Sequence, residues 1–319
     1  MDDCLLTFRE GRMDNQTNLK PMHCLSRENH ISAITIIIVN KETLLTIGDR
    51  EGNLEIVSLE NFRTVWRKEL DSSLIAVKTI KEQSCLITHT RSSVVQYWEI
   101  NKTGLIETKR FQYDYGRLCG LEVTESLIIV PTAEKGKVRI LDYGFSEVKT
   151  LNVGTESGEI MTIKTIASDT CLIGFETKVI RYNFKLELTE SEVLLNDCVM
   201  CLCPNKKFNK VICGTAENLS VFNSDEISGK LENKVVIPTN TGISCIDIRQ
   251  DSKIVACGCW NGRVRVYSAK TLKFLAFLDF HRKTVTGVIF VDAQSTIWRK
   301  NLLIVACENG TVSVWDIYN

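Results

Sequence analysis

The sequence predicts an all-β ring of seven four-stranded sheets, and three observations carry that expectation. A short pattern returns seven times, a second apolar run precedes each return, and no stretch sustains a helical period. The pattern is an apolar residue, a spacer, a β-branched or aromatic residue and then one large residue, as in Leu54-Glu55-Ile56-Val57, Val95-Gln96-Tyr97-Trp98 and Val312-Ser313-Val314-Trp315. Its last residue falls at Val57, Trp98, Leu141, Tyr182, Phe222, Tyr267 and Trp315, in steps of 41, 43, 41, 40, 45 and 48. A period of about 40–45 residues with four strand-like runs per unit is the arrangement of a β-propeller, whose blades each bury a face they cannot bury alone.

The elements follow in order within each unit. Leu44-Leu45-Thr46-Ile47, Leu86-Ile87-Thr88-His89 and Leu127-Ile128-Ile129-Val130 precede the first three signatures. Cys171-Leu172-Ile173-Gly174, Val211-Ile212-Cys213-Gly214, Ile254-Val255-Ala256-Cys257 and Leu303-Ile304-Val305-Ala306 precede the other four. These runs are short, rich in β-branched residues and bounded by turn residues, as strands are. Both residue parities are largely apolar, which fits a sheet with neighbours on both faces. The last blade stops after its third strand at Trp315-Asp316-Ile317-Tyr318-Asn319, and Cys4-Leu5-Leu6-Thr7-Phe8 has no blade of its own. Pairing these two would cover two strand edges at once. The expected organisation is one seven-bladed domain over 1–319, with 1–10 as the closing strand of the last blade, 11–29 as a connection and 30–319 as the repeats.

Composition narrows the function. Lys plus Arg equals Asp plus Glu at 39 each, so no global charge draws the chain to nucleic acid or to an anionic membrane. The longest apolar run, Ile34 to Val39, is too short to span a bilayer. The start, Met1-Asp2-Asp3, lacks the apolar core of a secretory signal. Thirteen cysteines, mostly inside strand-like runs, point to a reducing compartment, the nucleus and cytoplasm.

Candidate chemistry is sparse. Cys198, Cys201 and Cys203, with Cys257 and Cys259, are the densest potential metal ligands, but a strand turns Cys198 away from the other two. Buried free thiols acting as small hydrophobes account for them, and neither a metal nor another cofactor is expected. There is no Gly-x-Ser-x-Gly nucleophile turn, no phosphate loop and no His-Glu-x-x-His, so no catalytic residues are assigned. His281 stands where propeller repeats of the Trp-Asp type often carry a Gly-His pair, with Phe280 in place of the glycine. A hydrogen bond within its own blade is the simpler expectation for it.

The C-terminal third carries a resemblance. Ile243-Ser244-Cys245-Ile246-Asp247-Ile248 runs into Trp260-Asn261-Gly262-Arg263-Val264-Arg265-Val266-Tyr267, then Lys270-Thr271-Leu272-Lys273 and Phe280-His281. This resembles the guanine nucleotide-binding protein beta-subunit-like family, whose fungal members are the ASTRA-associated WD-repeat proteins. Cys259, Asn261 and Phe274 stand where that family has glycine, aspartate and proline. The resemblance implies a non-enzymatic WD-repeat adaptor. It implies work with the Tel2–Tti1–Tti2 co-chaperone and Hsp90-linked AAA+ ATPases in maturing phosphatidylinositol-3-kinase-related kinases, with links to DNA-damage signalling, chromatin and telomeres. Such an adaptor is expected to be monomeric by itself and to contact proteins, without direct nucleic-acid or membrane binding.

Two other readings compete. A heterotrimeric G-protein beta subunit needs N-terminal heptads, and 11–29 is polar and unpatterned. A ubiquitin-ligase substrate receptor often bears Trp-Asp-x-Arg, whereas Trp315-Asp316-Ile317-Tyr318 lacks the arginine. The candidate partner-binding residues are Trp260, Arg263 and Arg265. A large aromatic in a turn that favours Gly, Asn, Asp or Ser, followed by arginines sharing one side of a strand, has the composition of a binding hot spot. The competing expectation is that Trp260 folds back over the adjacent blade and Arg265 pairs with a nearby acid.

Overall fold

The computed structural model describes residues 19–80, 84–102, 104–113, 119–154, 158–225 and 228–318. Seven four-stranded antiparallel sheets form the blades of a propeller. The first six run in chain order over 31–69, 74–112, 122–152, 160–194, 199–238 and 243–278, and the seventh takes its first three strands from 285–316.

The repeated signature has a packing reason. In each blade the large residue lies in the second half of the third strand, and all seven of these side chains are buried. Seven core clusters result, one at each junction between neighbouring blades. In six blades the ladder to the outer strand shifts register immediately before the signature residue, for example between Ile56 and Val57 and between Val266 and Tyr267. A bulge there increases the local twist, as blades fanning around an axis require. Four of the second strands, Cys85–Thr90, Thr170–Phe175, Ile254–Cys259 and Leu302–Cys307, are buried along their whole length. Gly174 and Gly258 show how closely blades approach: a Cβ on either would lie 2.5 Å from Val199 or Val285 of the next blade.

Ring closure differs from the expectation. The fourth strand of the last blade is His23–Ser26, pairing Thr311–Val314 in antiparallel register from Ser26↔Thr311 to His23↔Val314. The closing strand therefore lies inside 11–29, the segment expected to be a connection. Cys4–Phe8 falls outside the described residues. The physical reason is that this outer strand faces solvent: His23–Ser26 buries only Leu25 in part, much as Thr64–Glu69 has one half-buried residue among six. An apolar run is thus not what marks this closing strand. The seam itself is held from within, where Ile31, Leu45, Ile47 and Val57 pack on Leu302, Ile304, Val312 and Val314.

Candidate interaction surface

The loops that join one blade to the next, and the turns between second and third strands, share one rim of the disc. In the sixth blade that turn runs from Cys259 to Arg263. Cys259 N–H donates to Arg263 O at 2.9 Å, and Asn261 Oδ1 accepts from Arg263 N–H at 3.2 Å. Gly262 holds φ at 85°, and a Cβ there would stand 2.5 Å from the His281 carbonyl oxygen, so only glycine lets the turn press on the loop entering blade seven.

Trp260 does fold back, though only one face is covered. Its backbone N–H donates to Gly242 O at 2.9 Å, and a Cβ on Gly242 would be 2.2 Å from the indole, so the ring lies flat on that glycine. The remainder is open, and the residue is 43% exposed. Arg263 reaches Asp279 at 3.5 Å and lies 5.7 Å from the centre of the Phe277 ring. Arg265 packs over the same ring at 4.9 Å and donates to the Thr239 carbonyl at 2.7 Å. Its partner is a backbone oxygen of the loop leaving blade five, where an acid was expected. The structure thus brings Arg263 and Arg265 together on Phe277 and ties both to loops that flank the turn of Trp260.

Phe280 is the member of this rim that sequence reasoning passed over. It is 39% exposed and stands edge-on to His281 and Trp315 at 5.1 and 6.2 Å between ring centres. The signal was its place before His281, where a glycine is common and a large aromatic has no packing need. Arg282 pairs with Asp279 at 3.1 Å, and Lys283 is exposed beside it. The rim therefore sets Arg263 and Arg282 on one carboxylate, Asp279, with Arg265 beside Arg263 on Phe277 and Lys283 exposed next to Arg282.

His281 anchors this loop. Its Nε2 lies 2.7 Å from Ser313 Oγ, which accepts from Trp315 Nε1–H at 2.7 Å. Burial pushes the imidazole down to about 4, so it is neutral at ordinary pH. This is the expected hydrogen bond within its blade. His89 is similar in the second blade: its ring meets the Tyr113 hydroxyl, and burial pushes it down to about 4.

A second concentration of charge lies on the innermost strands. Thr35, Lys78, Glu122, Lys164, Cys203, Asp247 and Ile289 share one level, because each pairs the second-strand residue that in turn pairs the position before the signature. Lys78 Nζ is 2.7 Å and Lys164 Nζ 3.8 Å from Glu122 Oε2. Burial alone would raise Glu122, but the two lysines outweigh it and hold the carboxyl below its usual range. Burial pushes Asp247 up to about 6, against the Phe290 N–H that donates to it at 2.7 Å and the charge of Lys164. These groups neutralise one another across four blades. Among the described residues, no three His, Cys, Asp or Glu side chains are placed to hold a metal ion. Burial raises the Cys201, Cys203, Cys245, Cys257 and Cys259 thiols, which keeps them protonated and inert as nucleophiles.

Known proteins place the chain in the same frame. The WD domain, G-beta repeat family matches residues 232–268, from the outer strand of blade five through the third strand of blade six. Guanine nucleotide-binding protein subunit beta-like protein 1 of Mus musculus is 34% identical over 110 residues, which is 34% of this chain and 32% of that protein. ASTRA-associated protein 1 of Schizosaccharomyces pombe is 36% identical over 73 residues, covering 23% of this chain and 18% of that protein. The chain thus spans about a third or less of the length of these curated relatives. Among solved structures, Saccharomyces cerevisiae Sqt1 superimposes with a TM-score of 0.71 at 13% identity, over 95% of this chain and 100% of that one. The computationally designed Ika8 protein does so with a TM-score of 0.64 at 14% identity, over 92% and 98%. Identities this low speak to fold alone. The chain is a seven-bladed β-propeller that matches the WD repeat over 232–268 and is similar over part of its length to G-protein beta-subunit-like protein 1 and the ASTRA-associated proteins.

Proposed function

We propose that this chain is a non-enzymatic adaptor that helps phosphatidylinositol-3-kinase-related kinases to mature. It would act with the Tel2–Tti1–Tti2 co-chaperone and Hsp90-linked AAA+ ATPases, in nucleus and cytoplasm, and so bear on DNA-damage signalling and chromatin. The observation that carries this reading is the similarity to G-protein beta-subunit-like protein 1 and to ASTRA-associated protein 1. The propeller supports the coarser part, since its rims present many loops on a rigid ring. A non-enzymatic role is supported by the chemistry of the groups that would otherwise serve. Lys78 and Lys164 are tied to Glu122, the blade five and six thiols are held protonated, and His89 and His281 each give one ring nitrogen to a buried hydroxyl.

In this reading the contact surface is the rim of blade six, with Trp260 and Arg263 outermost and Arg265 holding the loop from Thr239 in place. The protein is monomeric by itself. Tagging the endogenous chain and purifying it should recover Tel2–Tti1–Tti2 components, and depleting it should lower the kinases without lowering their messenger RNA. Reciprocal purifications empty of all those components refute the reading. Recovery of ubiquitin-ligase subunits in their place would establish the substrate-receptor alternative.

A further inference from the structure

We infer that the rim between blades six and seven docks an acidic protein segment that carries an aliphatic anchor. This rests on the adaptor reading and on the rim it uses, and it specifies what the partner presents there. Two observations converge. The first is apolar: Trp260 shows one open indole face while the other is pinned on Gly242, and Phe280 projects from the adjoining loop. Aromatics held this way lose little entropy on binding, because the fold has already fixed them. Neither belongs to the core of the junction between blades six and seven, which Leu278, Val285, Val305 and Trp315 pack.

The second is charge. Arg263 and Arg282 both lean on Asp279, at 3.5 and 3.1 Å, and one carboxylate cannot satisfy two guanidinium groups. Arg282 is 77% exposed, and Lys283 adds another cation beside it. The chain as a whole is balanced, with 39 basic and 39 acidic residues, so this excess is local. Carboxylates from a partner would complete bidentate pairing with the arginines that Asp279 leaves partly free. An aliphatic side chain would sit on the indole. Gly262 makes the surface continuous by letting the turn of Trp260 abut the backbone of His281 and Arg282.

The test uses the full chain and a fluorescent short peptide rich in Asp and Glu around one leucine. Companion peptides replace the leucine by serine, or the acids by Asn and Gln. The leucine-bearing acidic peptide should bind, both companions should bind at least ~10-fold more weakly, and added salt should weaken binding. Trp260→Ala should weaken it about 30-fold, as a hot-spot residue does. Because Trp260 also covers Gly242, Arg263→Glu and Arg282→Glu serve as second variants whose melting temperatures should match the parent. Lys253→Glu, on the opposite rim of the same blade, should bind as the parent does. Equal binding of all three peptides, binding of a single-stranded oligonucleotide as tight as that of the acidic peptide, or full binding by the charge-reversed variants each overturns the inference. If those variants still recover Tel2–Tti1–Tti2 components from cells, the docking idea fails while the adaptor reading stands.

Discussion

Acidification should destabilise this propeller, and replacing His281 should remove a defined part of that loss. The His281 imidazole is buried, one nitrogen sits 2.7 Å from Ser313 Oγ, and Nδ1 has no hydrogen-bond partner among the described residues. Its folded value is about 4 against 6.5 for a free histidine. The unfolded chain therefore takes up a proton in this window and the folded chain does not. Stability is fully present above 6.5 and is lost as pH falls towards 4. Between about pH 7.5 and about pH 5 the linkage amounts to about 2 kcal/mol for this one residue, a large share of a domain's typical 5–15. Asp247 works in the opposite sense. Its folded value is raised to about 6 from 3.8, so its contribution improves on acidification by about 1.4 kcal/mol over the same range. Comparing the parent with His281→Gln cancels that contribution, because Asp247 is common to both. Urea unfolding at the two pH values should show the parent losing about 2 kcal/mol more than the variant, with unchanged denaturant slopes. Equal losses in parent and variant would show that His281 is protonated in the folded chain, and the neutral relay to Ser313 and Trp315 would be wrong.

Other expectations follow from the same contacts. Asp247→Asn should stabilise the protein at about pH 7.5 by about 1–2 kcal/mol, because burial disfavours the charge and an amide oxygen can still accept from Phe290 N–H; a destabilised variant in urea melts would show that Lys164 wins that contest. Trp98→Ala should cost about 3–5 kcal/mol, since the indole is buried and donates to Thr88 Oγ1 at 2.9 Å, and a shift in melting temperature of only a degree or two refutes its role between blades. Gly258→Val should cost about 1–3 kcal/mol by overpacking against Val285, read by the same melts. A chain beginning at Asn29 lacks His23–Ser26 and should lose cooperative unfolding or aggregate, because the edge of Thr311–Asp316 is laid bare; an unaltered melt would mean that the ring does not need this strand.

The seven-fold repeat was legible in the sequence because packing imposes it. Each junction between blades must bury one large side chain in the second half of a third strand, and Val57, Trp98, Leu141, Tyr182, Phe222, Tyr267 and Trp315 report that demand directly. The same holds for the second strands, whose double-sided apolar character announced neighbours on both faces. His281 was legible too, through its place before an innermost strand. Trp260 stood out as an aromatic where turn chemistry favours small or polar residues.

What only the tertiary structure decided are the matters that depend on edges and on register between distant strands. The closing strand, His23–Ser26, has no apolar signature because it lies solvated at the outer edge of its blade, so hydrophobicity pointed to Cys4–Phe8 instead. Arg265 found the Thr239 carbonyl where a carboxylate was expected, since the loop from blade five brings that backbone oxygen within 2.7 Å. Phe277, Phe280 and Asp279 joined the rim only once the turn at Gly262 was seen against His281. The belt of Lys78, Glu122 and Lys164 spans three blades and more than eighty residues of chain, and no local pattern marks it. Periodic burial writes itself into a sequence; pairing between separate blades is set by the closure of the ring.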